Sequence, residues 1–221
     1  MRRGVAVAGV AVLAVTFLLS ASAEEKKTIQ LFNGKDFTGW KKYLAPNSGA
    51  DPEKIWTVKD GIIICEGSVP GYIITEKEYE NYELKLQWRW GEKVATGRNS
   101  GVFVHVVGPD KIWPKGVEAQ LMHGRAGDFW LVDGFKLDVP KEQQDPRVSR
   151  HYFRLKDNVE KPLGEWNQYV IRCTKDGTVK LWVNGEFVNE GKNAEVAKGK
   201  ILLQSEGAEI HFRNIELTPL D

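Results

Sequence analysis

The sequence predicts an all-β protein in which two antiparallel sheets pack face to face. Three observations support this fold class. Apolar and polar residues alternate in several segments, tight-turn dipeptides separate some of those segments, and no long amphipathic helix follows residue 24. The strand spacing also shows none of the helical crossovers that a parallel sheet requires. Because 221 residues suffice for one sizeable core, we expect a single sandwich domain over residues 24–221.

The clearest strand covers residues 82–90. Its apolar residues fall at every second position from Tyr82 to Trp90, and charged or amide residues fill the positions between them. A period of two places alternate side chains on opposite faces of a strand, which the 3.6-residue period of an α-helix cannot do. We therefore predict a strand with one buried face.

Two dipeptides predict tight hairpin turns, because their residues tolerate positive φ. They are Asp60-Gly61, between strands near residues 58 and 62–66, and Asn184-Gly185. Further strands are predicted at residues 72–75, 100–107, 116–122, 166–174, 179–183, 201–204 and 209–217. The stretch from Gly124 to Asn158 lacks alternation, so we expect a long irregular loop, which in a compact domain is usually functional or disordered.

The first 23 residues have the features of an export signal. Arg2 and Arg3 precede a mostly apolar run, and Ala21-Ser22-Ala23 forms the small-x-small pattern that signal peptidase cleaves. The alternative is a retained membrane anchor, but the run ends near Leu19, short of the ~20 residues that a spanning helix needs. We expect cleavage, a secreted or periplasmic mature protein, and no membrane association afterwards.

The charge of the mature chain argues against polyanionic partners. Without residues 1–23 the chain has 29 Lys and Arg against 30 Asp and Glu, a formal net charge of −1. This balance gives no electrostatic footprint for nucleic acid or an anionic membrane, and no protein partner can be inferred. Cys65 and Cys173 would meet an oxidising compartment, but the sequence leaves open whether they pair or remain buried thiols.

Two predicted strands bring polar residues to one sheet face. In the first strand, valines that we assign to the core alternate with Phe103 and His105, and in the second Glu118 and Gln120 face away from the core in the same way. Carboxylates and amides hydrogen-bond sugar hydroxyls, while aromatic rings stack on the C–H faces of a sugar ring. We therefore expect a carbohydrate site if the two strands are neighbours.

Further residues are candidates for this site because of where they lie in the sequence. The expected substrate-binding side chains in loop-like or turn contexts are Trp40, Trp113, Trp130 and Arg98. His123 and Asp128 follow Glu118 where its strand enters the long loop, and we consider both as catalytic partners. The alternative for each of these residues is a purely structural one, such as a solvated cross-strand pair, a turn or core packing.

The Glu118 strand lacks the paired carboxylates of common glycosidases. Those enzymes place two carboxyl groups about the scissile bond, often as Glu-x-Asp-x-x-Glu on a sandwich strand, whereas Gln120 and His123 occupy the second and third positions here. A standard double displacement is therefore disfavoured. We predict no cofactor. No ligand spacing argues for a metal site, although a cation among the same carboxylate and imidazole groups stays open.

Short motifs occur in a fixed order along essentially the whole mature chain. They are LFNGKDFTGW (31–40), WTVKDG (56–61), GYIIT (71–75), YEL (82–84), NSGVF (99–103), VEAQL (117–121), GEWNQ (164–168), LWVNG (181–185) and FRNI (212–215). Together they resemble the 3-keto-disaccharide hydrolase family, long catalogued as a domain of unknown function. The resemblance implies a two-sheet antiparallel jelly roll of the concanavalin A-like lectin and glucanase type, an exported bacterial protein, and an enzyme that cleaves glycosides of sugars oxidised at C3.

Chemistry on such a sugar does not need paired carboxylates. A ketone at C3 acidifies the C2 proton, so a base can remove it, the C1 substituent leaves by elimination, and water adds back. Our hypothesis is that Glu118 or His105 is the base, that His123 or Asp128 is the acid partner, and that Gln120 donates to the sugar. Many relatives continue Gln-Ile-Leu-Asp after the glutamate, so the role of His123 is open. The alternative function is a non-catalytic, lectin-like carbohydrate-binding module.

Overall fold

The computed structural model describes Met1, Gly4 and residues 27–221, so the predicted export signal lies almost wholly outside the described residues. Its strands are β1 Ile29–Gln30, β2 Trp40–Leu44, β3 Trp56–Lys59, β4 Ile62–Cys65, β5 Gly71–Thr75, β6 Tyr82–Asn99, β7 Gly101–Val107, β8 Lys115–Gln120, β9 Phe129–Val132, β10 His151–Tyr152, β11 Asn167–Cys173, β12 Val179–Val183, β13 Glu186–Gly191 and β14 Lys200–Pro219. One short helix, α1 Pro52–Ile55, and a 3-10 turn, Lys141–Gln143, complete the regular structure. Within these residues no helix is long and apolar enough to cross a membrane.

The strands form two antiparallel sheets. The first has the order β3-β4-β14-β6-β11-β12-β13, with β1 also on β14, and the second has the order β2-β5-β14-β7-β8-β9-β10. Strand β14 belongs to both, since residues 200–205 pair in the second sheet and residues 208–219 pair in the first. The predicted all-β sandwich with antiparallel sheets is confirmed.

The change of sheet within β14 occurs at Gly207. The pairing register with β6 shifts on both sides of this residue, and its φ of 87° favours glycine. A Cβ atom there would also lie 2.4 Å from the carbonyl oxygen of Gly97. Two separate strands, 201–204 and 209–217, were expected from the sequence, but one continuous strand crosses between the sheets and carries Glu206 at the crossing.

The main core lies between the sheets and contains the predicted apolar faces. All five alternating apolar residues of the segment from Tyr82 to Trp90 are at most 4% exposed, as the period of two predicts. Cys65 and Cys173 lie in the same core as unpaired thiols, and burial raises the pKa of each to about 12. They therefore act as small apolar core residues in this structure.

A second apolar cluster covers the outer face of the second sheet. Its members are Tyr72, Ile74, Phe103, Val106, Val132 and Leu202, with Tyr43 and Trp130 packed against them. The β7–β8 loop, residues 108–114, is tied to this face because the Tyr72 hydroxyl donates a 3.0 Å hydrogen bond to Asp110. Part of this outer face is therefore apolar rather than solvated, and Trp130 and Val132 also line the site described below.

The two predicted hairpin turns are found, whereas the predicted long loop is only partly irregular. Asp60-Gly61 and Asn184-Gly185 have positive φ at both residues, as the predicted hairpins require. The stretch 124–158 is less irregular than expected, since it contains β9, the 3-10 turn and β10. Two- and four-residue strands are too short to show alternation, which explains the difference.

Candidate active site

A pocket opens on the outer face of the second sheet, across β14, β7, β8 and β9. It encloses about 180 Å³ and is open to solvent on one side. Its lining residues are Asn99, Trp113, Glu118, Gln120, Trp130, Val132, Arg150, Gln204 and Glu206. Four of the residues predicted from the sequence therefore meet here: Trp113, Glu118, Gln120 and Trp130.

Strand register places Glu118 at the centre of this face. Glu118 of β8 pairs with Phe103 of β7 on one side and with Trp130 of β9 on the other, and the inward-facing neighbours Val117 and Ala119 are in the main core. Alternation along the strand then directs the carboxyl group outward. The carboxyl group lies above Gly101, where an added Cβ would be 2.4 Å from Glu118 Oε1, so this glycine leaves the space that the carboxyl group occupies.

The environment of Glu118 favours its protonated form. Only 6% of the residue is exposed, and Oε1 has no hydrogen-bond partner among the described residues. Burial raises the pKa of Glu118 well above its ordinary value of 4.5, the neighbouring Glu206 raises it further, and Arg150 opposes both effects. A carboxylate with a raised pKa is a stronger base than an ordinary glutamate, which is the property expected of a group that removes a carbon-bound proton.

Glu206 is a second carboxyl group in the pocket, which the sequence pattern did not predict. Burial raises its pKa, while a hydrogen bond with the Asn99 side chain lowers it. The predicted lack of a second carboxylate holds for the Glu118 strand but is wrong for the pocket, which also contains Glu206. Leu202, Gln204 and Glu206 continue one face of β14, and this alternation could have revealed Glu206 had the strand not been ended at residue 204.

The pocket contains both hydrogen-bond donors and acceptors for a polar ligand. Gln120 Oε1 accepts the backbone N–H groups of Leu121 and Met122 at 2.9 and 2.8 Å, which leaves its NH₂ group as the donor available to a ligand. The side-chain oxygens of Asn99 and Gln204 are buried without a hydrogen-bond partner among the described residues. Sugar hydroxyls can satisfy such groups because each hydroxyl both donates and accepts.

Aromatic rings form two sides of the pocket. Trp113 is 39% exposed, whereas Trp130 is packed against its neighbours. The His151 ring stacks on Trp130 with centroids 4.3 Å apart, and the Arg150 guanidinium lies 4.8 Å from the centre of the Trp130 ring. Arg150 is the only cationic residue lining this pocket, and the sequence pattern did not predict its place there.

Asp128 does not face the pocket and is connected to its wall through His151, which stacks on Trp130. His151 hydrogen-bonds Asp128 at 2.9 Å through Nε2 and Asp145 at 3.1 Å through Nδ1, and Arg154 donates both its backbone N–H and its guanidinium to Asp128. Burial alone would raise the pKa of Asp128, but these hydrogen bonds hold it below its usual range. Asp128 is completely buried and does not line the pocket, so its predicted role as a proton donor has no geometric support.

The structure places His105 and His123 away from Glu118. The β7–β8 register shifts between Val104 and Val107, and the additional residue reverses the alternation. The predicted outward position of His105 was therefore wrong: its ring stacks against Phe135 of the main core, and burial lowers its pKa to about 4. His123 contacts Glu160 at 3.3 Å in a separate depression.

Three residues predicted to bind substrate do not line the pocket. Trp40 is 6% exposed, and its indole N–H donates to the Leu31 carbonyl oxygen, so it is a core residue rather than a rim residue. Phe103 is on the expected face but lies within the outer apolar cluster. The Nε atom of Arg98 is buried, and Arg98 is not among the residues that line the pocket. Among the described residues, no three His, Cys, Asp or Glu side chains are arranged to hold a metal ion.

Comparison with known proteins identifies the family. The sequence pattern that defines the 3-keto-alpha-glucoside-1,2-lyase-like domain matches residues 27–218. The chain belongs to this family. It is also similar to a 3-keto-disaccharide hydrolase from Bacteroides thetaiotaomicron, with 28% identity over 95% of this chain and 87% of that protein.

Solved structures support the fold assignment. A protein from Parabacteroides distasonis, provisionally named a glycosyl hydrolase, is 28% identical, covers 93% of this chain and 99% of its own, and superposes with a TM-score of 0.62. A β-glucanase from Bacillus licheniformis is 13% identical, with 90% and 100% coverage and a TM-score of 0.55, and is similar in fold alone. The predicted jelly roll is confirmed, and the chain is a glycosidase-like member of a carbohydrate-active family.

Proposed function

We propose that this chain is an exported enzyme that cleaves the glycosidic bond of sugars oxidised at C3, with Glu118 as the general base. The observation that carries the proposal is the Glu118 carboxyl group, buried on the floor of a pocket with a raised pKa and flanked by Arg150, Glu206 and two tryptophans. Family membership and the name of the Bacteroides relative support the substrate class. Export rests on the sequence of residues 1–23.

The first step is proton transfer from C2 of the sugar to ionised Glu118. The electron pair of the C2–H bond moves towards the C3 carbonyl, giving an enolate whose negative charge lies mainly on the C3 oxygen. Arg150 and the NH₂ group of Gln120 are two donors in the pocket that can stabilise this charge. Gln120 is held by its two backbone hydrogen bonds before the reaction begins, so this donor needs little reorganisation as the charge develops.

The second step expels the substituent at C1. The enolate re-forms the C3 carbonyl, a C1–C2 double bond forms, and the C1–O bond breaks as the leaving oxygen takes a proton. Glu206 has a raised pKa and lines the same pocket, so we assign it as the acid for the leaving group. Addition of water across C1 and C2 completes net hydrolysis and returns a proton to C2.

The charge in the pocket favours this route over direct hydrolysis by paired carboxylates. Ordinary glycosidases stabilise a transition state with positive, oxocarbenium-like charge. In this pocket the one cation is Arg150, the raised pKa of Glu206 favours its neutral form, and Glu118 becomes neutral as it takes the C2 proton. Such surroundings suit an enolate and oppose a developing cation.

The substrate class is tested by comparing oxidised and unoxidised glycosides. We expect the purified mature chain to release the C1 substituent from methyl 3-keto-glucosides or 3-keto-disaccharides, and not from the parent compounds, since only the ketone acidifies the C2 proton. Liberated sugar is measured by chromatography. Cleavage of the parent compounds at a comparable rate would favour paired-carboxylate hydrolysis, and sugar binding without any cleavage would favour a lectin-like module.

A further inference from the structure

The outer face of the first sheet carries two arginines that share one tryptophan ring. Arg89 of β6 and Arg213 of β14 alternate with buried aromatic residues of the main core, so their side chains lie on the opposite face of the sheet. Their guanidinium carbons lie 4.8 and 4.0 Å from the centre of the Trp166 ring. The candidate active site, by contrast, is on the outer face of the second sheet.

Each of these guanidinium groups is held by a hydrogen bond at Nε. Arg89 Nε donates to His211 Nδ1 at 3.2 Å, and Arg213 Nε donates to Gln87 Oε1 at 2.7 Å. His211 is fixed in turn, because its Nε2 lies 2.6 Å from Glu209 Oε1. Both arginines are also only partly exposed, so little rotamer freedom remains to be lost when a ligand binds.

Neither Arg89 nor Arg213 has a carboxylate partner within the residues that the structure describes, and their Nη groups make no hydrogen bond there. Arg172 on the same face provides the comparison. It lies 5.5 Å from the centre of the Trp182 ring, but its Nε donates to the Glu83 carboxylate at 3.0 Å. Two neighbouring cations without a counter-charge repel each other, and a bound anion would remove this repulsion.

From these observations we propose that Arg89 and Arg213 form a binding site for one oxyanion group, namely a sulfate, phosphate or carboxylate. Guanidinium groups supply both positive charge and paired N–H donors to the oxygens of such groups. A site for a single oxyanion group agrees with the near-neutral net charge of the chain, which does not attract polyanions. The group can belong to a free anion or to an acidic sugar.

An NMR titration tests the site directly. The arginine Nε–H and tryptophan indole N–H signals of isotope-labelled protein are followed as inorganic sulfate is added, against sodium chloride of equal ionic strength. We expect saturable shifts for Arg89, Arg213 and Trp166. Arg213→Gln should weaken sulfate binding about tenfold or more, because hydrogen bonds to a charged group are lost.

The source of the oxyanion is identified by repeating the titration with other ligands. Inorganic phosphate represents a free anion, whereas glucuronate and glucose 6-sulfate carry the group on a sugar. Tighter binding of the sugar acids than of the inorganic ions would support the site and identify its ligand as an acidic sugar. Equal affinities would support the site and identify a free anion as sufficient.

Arg172→Gln is the matched control, because it removes a tryptophan-stacked arginine that already has a carboxylate partner on the same face. It should leave the sulfate titration unchanged. Absence of saturable shifts in the wild type, the same shifts with sodium chloride alone, or full binding by the Arg89→Gln/Arg213→Gln double variant would overturn the inference. The double variant should cleave 3-keto glycosides as the wild type does, so this inference and the proposed function fail independently.

Discussion

Replacing Glu118 by glutamine is expected to lower kcat/KM on 3-keto glycosides by about 10²–10⁴-fold, the usual contribution of a general base. Glutamine has nearly the same shape but cannot accept the C2 proton. Because the amide can still hydrogen-bond hydroxyl groups, the affinity for sugar should change much less. Steady-state kinetics and calorimetric binding of the unoxidised disaccharide, measured on the same preparation, check both parts of this prediction.

Stability provides the internal control for this variant. The folded-state pKa of Glu118 is raised above its unfolded value of about 4.5, so the wild type is favoured at low pH and loses that contribution as pH rises through the folded-state pKa. Glutamine does not titrate. Urea denaturation from pH 4 to pH 8 should therefore show Glu118→Gln gaining stability relative to the wild type as pH rises.

Two results would contradict this account of Glu118. Turnover within about threefold of the wild type would show that another group removes the proton, since the loss expected is at least about 10²-fold. A loss of sugar affinity as large as the loss of turnover would show that Glu118 serves binding rather than proton transfer. Glu186→Gln, at the exposed start of β13, makes the same chemical change outside the pocket and should behave as the wild type in both measurements.

Replacing Gly101 by alanine is expected to lower kcat/KM by about 10²-fold with little loss of stability. The new Cβ atom would lie 2.4 Å from Glu118 Oε1 and 2.7 Å from its Cγ, so the flexible end of the glutamate must move. Displacement of a catalytic group by about 1 Å can cost a factor of this size. The kinetic loss should appear in kcat/KM, while the thermal midpoint shifts by only a few degrees.

Gly97→Ala is the matched control for this change. Gly97 is in the same region of the chain, but a Cβ atom there meets no heavy atom within 4 Å. It should retain full activity. If Gly101→Ala were also fully active, the position of the Glu118 carboxyl group above Gly101 would not matter for the reaction, and the geometric basis of the proposed mechanism would fail.

The sequence predicts the fold well where strands are long enough to show their period. The segment from Tyr82 to Trp90 and both predicted hairpins are found as expected. Short strands such as β10 cannot be predicted from alternation because two residues define no period. Bulges cause the remaining errors: one extra residue in β7 reversed the face of His105, and the bulge near Gly207 concealed that β14 continues past Gln204.

The candidate site is likewise predictable only where its residues lie on a regular strand. Glu118 and Gln120 lie on a regular strand, so simple alternation places them on the outer face. Glu206 follows the point where β14 changes sheet, and Arg150 precedes a two-residue strand, so neither position follows from a local pattern. Trp130 was expected in a loop but reaches the pocket from β9, where pairing with Glu118 fixes it. Contacts between distant segments are what the sequence alone leaves unspecified.

The central claim is that a proton leaves C2 before the C1–O bond breaks, and isotope incorporation at C2 tests it most directly. A 3-keto-disaccharide is cleaved in D₂O, and the 3-keto-glucose formed at early times is analysed by NMR and mass spectrometry against an enzyme-free sample of the same product. Elimination followed by hydration predicts one deuterium at C2 in every enzymatic turnover. Product that retains its original C2 proton would show direct hydrolysis and would contradict the mechanism.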